Sequence, residues 1–361
     1  MRLNWLLVFV PIALGLDWGD AHPTLVFLAS ALAIVPLAAL MGDATESLAS
    51  YLGPTYGGLL SATLGNAPEI IVGLFALHQG LVDVVKASLT GSIIGNLLLG
   101  LGLSLFAGGM KHGEQQFDSK TARRNAASLM LAAIALIIPA VFHFSASSDE
   151  EISVHIAAVL FFVYCSSIVL TLRSQKAVFG VAAAAEELEE KGKAEPEPLG
   201  GELGWSRNRA LAVLAVVTIA LGVMSEIMTD AVQPAADAMG LTPLFAGVFL
   251  LAIVGNAAET FNSIRFARSN QVELALGVTV GASTQVALVV APVLVFFSML
   301  IGRDMDLLFS QFEIVAVMLA VVVTRDLVRD GQSTWFDGLL LIGVYCILAI
   351  GFFYIPVTPA S

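Results

Sequence analysis

Long apolar blocks alternate with short polar breaks along almost the whole chain. The blocks fall at residues 3–16, 24–52, 55–78, 81–107, 121–144, 151–173, 206–232, 242–267, 272–301, 307–328 and 333–354. All but the first reach the roughly 20 residues that a helix needs to cross the hydrocarbon core of a bilayer. The first, led by Arg2, has the outline of a signal peptide, but the "LDWGDAHPT" that follows lacks a small-x-small cleavage site. It is therefore read as a span. The pattern predicts an all-α polytopic membrane protein with about eleven transmembrane helices.

One stretch interrupts this pattern. "AAAAEELEEKGKAEPEPLGGELG", residues 182–204, holds seven Glu and two Lys, with an Ala/Glu/Leu start suited to helix and a Pro/Gly-rich end. It separates two groups of five blocks once the first block is set aside. The expected units are an extra N-terminal span (1–22), a first five-helix repeat (23–180), an acidic cytoplasmic segment (181–205) and a second five-helix repeat (206–361). The acidic segment is either a solvated linker or a surface helix whose Glu186, Glu187, Glu189 and Glu190 sense divalent cations and regulate activity. With the N-terminus inside, 15 of the 17 Lys and Arg residues fall on the inner side, leaving only Lys86 and Arg303 outside. The positive-inside rule then places the N-terminus in the cytoplasm and, with eleven spans, the C-terminus outside.

The two groups are related. "LGNAPEIIVG" at 64–73 returns as "VGNAAETFNS" at 254–263. The same offset of 190 residues pairs Gly65 with Gly255, Asn66 with Asn256, Glu69 with Glu259, Asp83 with Glu273 and Gly91 with Gly281. Five spans is an odd number, so equivalent helices cross the membrane in opposite directions. Two inverted five-helix repeats with a site at their midplane junction are a frequent plan of secondary transporters.

Composition narrows the classes. Of 361 residues, 57% are hydrophobic and 13% charged, with mean hydropathy +0.87, against about 25% charged in soluble domains. The net charge of −12 argues against a nucleic-acid partner, which needs a basic face; the lipid bilayer is the partner expected. Cys165 and Cys346 lie in apolar blocks and read as buried thiols. The five histidines (His22, His78, His112, His143, His155) sit at loops or block ends. No zinc-protease helix, nucleophile elbow or phosphate loop is present, so the chain does not read as an enzyme, and no resident cofactor is implied.

Four acids within apolar blocks carry the chemistry: Glu46, Glu69, Glu226 and Glu259. A charge at the bilayer centre costs about 2.5–3.5 kcal/mol even on insertion scales, and such groups mark function. No Lys or Arg lies deep enough to neutralise them, so the missing counter-charge is a cationic ligand. On a helix Asn66 shares a face with Glu69, and Asn256 with Glu259. Pro68 cannot donate to the Leu64 carbonyl and crowds it, so with Gly65 beside it the helix is expected to open; the second copy has Ala258 there, and its opening rests on Gly255 alone. Freed backbone carbonyls that line a cavity coordinate cations in transporters. Ser92 and Asn96 in "GSIIGN", and Ser283, Thr284 and Gln285 in "GASTQ", add further oxygens. Each of these either ligates or joins helices by hydrogen bonds. An all-oxygen set with two carboxylates suits Ca²⁺ better than octahedral Mg²⁺. Glu46 and Glu226 each lie six residues before the expected end of their spans, one at each face, as gate or proton-relay carboxylates or as solvated interfacial acids.

These segments resemble the calcium/proton antiporter family. The matching stretches are "ATES" (44–47), "GNAPEIIVG" (65–73), "VKASLTGSIIGNLLLGLG" (85–102), "GNAAE" (255–259), "GVTVGASTQVALVVAP" (277–292) and "DGQSTWFDGLLLIGVYCILAI" (330–350). The resemblance runs in order from about residue 24, with an acidic segment between the halves. It implies eleven spans, export of Ca²⁺ in exchange for H⁺, and metal-binding glutamates carried here onto Glu69 and Glu259. The family's second signature continues with His, where this chain has Thr260. Either one Ca²⁺ or two protons would neutralise the paired carboxylates, and exclusive occupancy combined with alternating access is antiport. Ca²⁺ and H⁺ are thus substrates, not cofactors. A sodium/calcium exchanger is the alternative reading, and a cation channel a weaker one. A bacterial inner membrane is the expected location, with an organellar membrane left open, and the sequence is compatible with a homo-oligomer.

Overall fold

The computed structural model describes residues 3–118, 127, 129–131, 133–139, 149–174 and 205–355. Glu186, Glu187, Glu189 and Glu190 of the acidic segment lie outside the described residues. The described residues are almost wholly helical. A 3-10 turn, Leu3–Val8, leads into α1 (Phe9–Trp18); then come α2 (Pro23–Ala49), α3 (Gly53–Leu64), α4 (Ala67–His78) and α5 (Val82–His112). After a helical stretch within 127–139 follow α6 (Asp149–Ser174), α7 (Arg207–Met239), α8 (Pro243–Gly255), α9 (Ala257–Arg268), α10 (Val272–Leu300), α11 (Gln311–Leu327) and α12 (Trp335–Phe353). Among the described residues, six of these are long and apolar enough to cross a membrane, and α8 and α9, bent by 55° at their break, pass the same test only when taken together. The molecule is a multi-pass membrane protein.

The 190-residue offset governs the helices as well as the signatures. It carries both ends of α4 onto both ends of α9, the start of α5 onto the start of α10, and the end of α2 onto the end of α7. α5 and α10 each contain a π-helical stretch, Gly95–Gly100 and Val286–Val290, that coincides under the same shift. Side-chain contacts repeat too. Ser104 on α5 donates to Ser263 on α9 at 2.7 Å, and the equivalent residues, Leu294 on α10 and Gly73 on α4, interlock so closely that a Cβ on Gly73 would lie 2.8 Å from Leu294 Cδ1.

Burial explains the arrangement. α5 and α10 supply the centre through Ile93, Leu97, Leu101, Val286 and Val290. α2 and α7 pack together through Ile34, Leu37, Met41, Leu221, Met224 and Met228. Near one face, α5 meets α8 almost backbone to backbone. A Cβ on Gly91 would overlap the Val248 carbonyl, and one on Gly247 would overlap Ala87 and the Val84 carbonyl. The counterpart of Gly247 is Gly57 on α3, which lies against the backbone of Ala49 in α2 instead.

Caps and small ties fix the ends. Ser310 and Glu313 form a reciprocal cap on α11, and Thr90 on α5 donates to Glu313 Oε1 at 2.9 Å. Lys86 and Asp306 pair at 2.6 Å. An antiparallel ribbon, β1 (Gln115–Gln116) with β2 (Gln332–Ser333), escaped the hydropathy pattern because it is only two residues long. Its Gln115 side chain is buried and donates to the Ala267 carbonyl at 2.9 Å and to Asn270 Oδ1 at 2.8 Å, clamping the end of α9.

One expected boundary moves furthest. α7 continues past residue 232 to Met239, where Gly240 at φ +69° ends it, because Ala235 and Ala236 still bury against neighbouring helices. Glu226 therefore lies mid-helix. Under the common offset Glu46 corresponds to Ala236 and Glu226 to Pro36, so these two acids are not equivalents of one another.

Candidate cation site at the paired helix breaks

The site begins with two asparagines. Asn66 (φ −100°, ψ 18°) and Asn256 (φ −87°, ψ 5°) share one non-helical conformation, and each caps the start of the helix that follows; Asn256 also caps the end of α8, whereas α3 ends at Leu64 with Gly65 between it and Asn66. Gly65 keeps helical dihedrals and Gly255 is the last residue of α8. The break thus falls one residue later than the glycines suggested, and in both copies Asn is the hinge. Pro68 at the start of α4 has no N–H for the Leu64 carbonyl, which helps the first break. The second forms without proline, with Asn256 N–H still bonded to the Ala252 carbonyl at 2.9 Å.

Each break presents a carboxylate in the first turn that follows it, Glu69 on α4 and Glu259 on α9. The N-terminal end of a helix carries unsatisfied N–H groups and a partial positive charge, which favours an acid there. The two acids face a common space: Glu259 lies within electrostatic reach of Glu69, and a Cβ on Gly255 would be 3.8 Å from Glu69 Cγ. One oxygen of each, Glu69 Oε2 and Glu259 Oε2, is buried without a hydrogen-bond partner among the described residues.

The amides complete the lining. Asn66 and Asn256 are each 3% exposed, and Asn96, at the start of the π stretch in α5, is 1% exposed. Asn256 Nδ2 donates to the Ser92 carbonyl at 3.1 Å, while its Oδ1 is unpartnered. Asn66 Nδ2 donates to Gln285 Oε1. Asn96 leaves both amide atoms unpartnered. A buried polar atom without a partner costs roughly 1–3 kcal/mol, so a cluster of them asks for a ligand. Every unpartnered oxygen here comes from a carboxylate or an amide. Among the described residues no three His, Cys, Asp or Glu side chains gather elsewhere to hold a metal.

The other predicted residues separate. Ser92 contributes its backbone carbonyl to the asparagine anchor. Ser283 donates to the Thr279 carbonyl at 2.9 Å and reaches the Ile93 carbonyl at 3.5 Å, joining α10 to α5. Thr284 donates to the Val280 carbonyl at 2.9 Å. Glu46 is half-buried near the end of α2, and Glu226 is exposed on α7, with its backbone carbonyl facing Gln79 at 3.5 Å. Thr260 sits beside Glu259 and packs on α5, since a Cβ on Gly100 would be 3.1 Å from its hydroxyl. The sequence reading missed the π stretches and the cross-repeat amide bonds. The first lacked a periodic signal; the second joins residues 164 and 219 apart, which the 190-residue offset does not pair.

Known proteins place this arrangement. The sodium/calcium exchanger protein family matches residues 22–173 and 209–354. A Ca²⁺/H⁺ antiporter of Synechocystis sp. is 42% identical over 359 residues, covering 97% of this chain and 96% of that protein. The Ca²⁺/H⁺ antiporter ChaA of Bacillus subtilis is 39% identical over 357 residues, covering 98% and 99%. Among solved structures, native YfkE superposes with a TM-score of 0.82 at 34% identity, covering 98% of this chain and all of that one. Paired breaks, paired acids and a matched fold over nearly the whole length lead to one statement: this chain belongs to the sodium/calcium exchanger protein family.

Proposed function

We propose that the protein is a secondary transporter that exchanges Ca²⁺ for H⁺ across its membrane. The observation that carries this is the meeting of Glu69 and Glu259 at two equivalent helix breaks, each with an unpartnered buried oxygen. Relatives named Ca²⁺/H⁺ antiporters, similar along the full chain, support the same exchange. The direct ligands are Glu69 and Glu259 with the amide oxygens of Asn66, Asn256 and Asn96, helped by the backbone around Gly65 and Gly255. One Ca²⁺ or two protons neutralise the acid pair. The empty, doubly charged site is the form least able to cross a low-dielectric barrier, which couples the two movements without any covalent step.

The fuller architecture belongs to the same proposal: eleven spans, two inverted five-helix repeats after an extra first helix, the N-terminus in the cytoplasm and the C-terminus outside. Glu46 near the end of α2 and Glu226 midway along α7 serve as gate or proton-relay carboxylates, and the acidic segment at 181–205 as a cytoplasmic linker that responds to Ca²⁺. The test is transport by the purified protein in liposomes. Vesicles made acidic inside should take up Ca²⁺ and release protons together, with uptake ending when the proton gradient is collapsed. Uptake driven by a sodium gradient at clamped pH would replace the reading with sodium/calcium exchange. Large unitary currents would replace it with a channel.

A further inference from the structure

The two halves of the site hold their asparagines by different means. Asn256 Nδ2 donates to the backbone carbonyl of Ser92, on the central helix of the opposite repeat. Gly95 makes this approach feasible, since a Cβ there would lie 3.1 Å from Asn256 Nδ2. A backbone carbonyl can only accept, so the amide of Asn256 has one possible polarity, with nitrogen toward Ser92 and Oδ1 left over. That Oδ1 is the buried, unpartnered atom.

In the other half the residue equivalent to Gly95 is Gln285. Asn66 Nδ2 donates to its Oε1, so a side-chain carbonyl stands where the second half uses the main chain. Unlike a backbone carbonyl, a glutamine amide has two faces, one accepting and one donating. The polarity of Asn66 is therefore set by Gln285. A hard cation is bound by oxygen and opposed by an N–H, so the difference between the two orientations of Asn66 is the difference between a ligand and an obstacle.

Resting on the cation site proposed above, we propose that Gln285 is a positioning residue: it holds Asn66 with its amide oxygen free for the transported cation, doing with a side chain what the Ser92 carbonyl does for Asn256. This departs from the direct-ligand role that its place in "GASTQ" suggested. Outer partners of this kind typically alter metal affinity about 10–100-fold.

A double-mutant cycle on Ca²⁺ uptake by the full-length protein in liposomes tests the idea. Gln285→Met keeps the length of the side chain and removes the acceptor; Gln285→Ala serves as a second variant, and size-exclusion profiles check that each is folded. Either should raise the apparent KM for Ca²⁺ by about 10-fold or more, with a smaller change in maximal rate. The decisive arm is the background. In Asn66→Ala the Gln285 replacement should change KM by less than about 2-fold, whereas in Asn256→Ala it should keep its full effect. Equal effects in both backgrounds, or unchanged KM in the Gln285 single variants, overturn the proposal while leaving the site intact. If Asn66→Ala alone leaves KM unchanged, Asn66 is not a ligand; the site reading fails at that residue and this inference goes with it.

Discussion

Glu69 and Glu259 are isosteric with glutamine, which gives a clean test of charge at the residue scale. Glu69→Gln or Glu259→Gln preserves volume and one acceptor oxygen but leaves a bound Ca²⁺ with uncompensated charge. Removing one partner of a buried charge pair costs about 3–5 kcal/mol, so Ca²⁺/H⁺ exchange should fall at least about a hundredfold in either variant. The protonated native site is already neutral, so both variants should express and purify normally; exchange at ordinary rates would show that the acids are structural. Asn96 behaves differently. Its amide is buried with neither atom partnered, and the equivalent position holds Val286. Asn96→Leu removes an unsatisfied amide without emptying the space, so thermal unfolding of the apo protein should move upward while Ca²⁺ affinity drops. A lower melting temperature would mean that the amide is bonded in the folded state. Such a trade between stability and ligand marks a residue kept for binding.

At the scale of elements, the two π stretches are the feature least visible in the sequence. A π turn inserts a residue without disturbing the apolar character of the helix around it, so "GNLLLG" looks like any other part of a span. Its consequence is that the helix carries an extra residue while its two flanks stay in phase. Deleting Leu98 should return the segment to α-helix and keep Ser104 against Ser263 and Gly108 against Ala267, whereas deleting Leu103 from the α-helical part beyond it should turn everything after it by about 100°. The second deletion should abolish transport far more completely than the first, as measured by Ca²⁺ uptake at matched protein levels. Helix placement, by contrast, was legible, because length and apolarity decide it: α5 and α10 begin within a residue of their expected starts. The breaks were legible through Pro68 and the paired glycines, although the bend falls on asparagine. What could not be read was which side chain meets which across the repeats. Asn66 and Gln285 are 219 residues apart, and only packing brings them together.

On the scale of the whole molecule, charge asymmetry sets the expected orientation. With 15 of 17 basic residues on one side, a cysteine at Ala194 should resist an impermeant thiol reagent in intact cells, while one at Pro359 should react; the reverse pattern would invert the topology. Within that frame the glycine contact between α5 and α8 takes on a mechanical meaning. Gly91 and Gly247 let two backbones touch, and nothing thicker than a hydrogen atom fits between them. In the orientation proposed above, this is a seam pressed shut on the outer side, and Gly281 and Gly57, shifted by 190 residues, are the material for a second seam on the inner side; Gly57 rests on Ala49. A protein with two such seams works as a valve if only one can be pressed at a time. A wedge should therefore jam it in a chosen direction. In a background lacking Cys165 and Cys346, a cysteine at Ser92 should label slowly from outside. Adding Gly91→Val should speed that labelling several-fold and Gly281→Val should not, so the two nearly identical glycines, one in each repeat, would report opposite sides of the membrane.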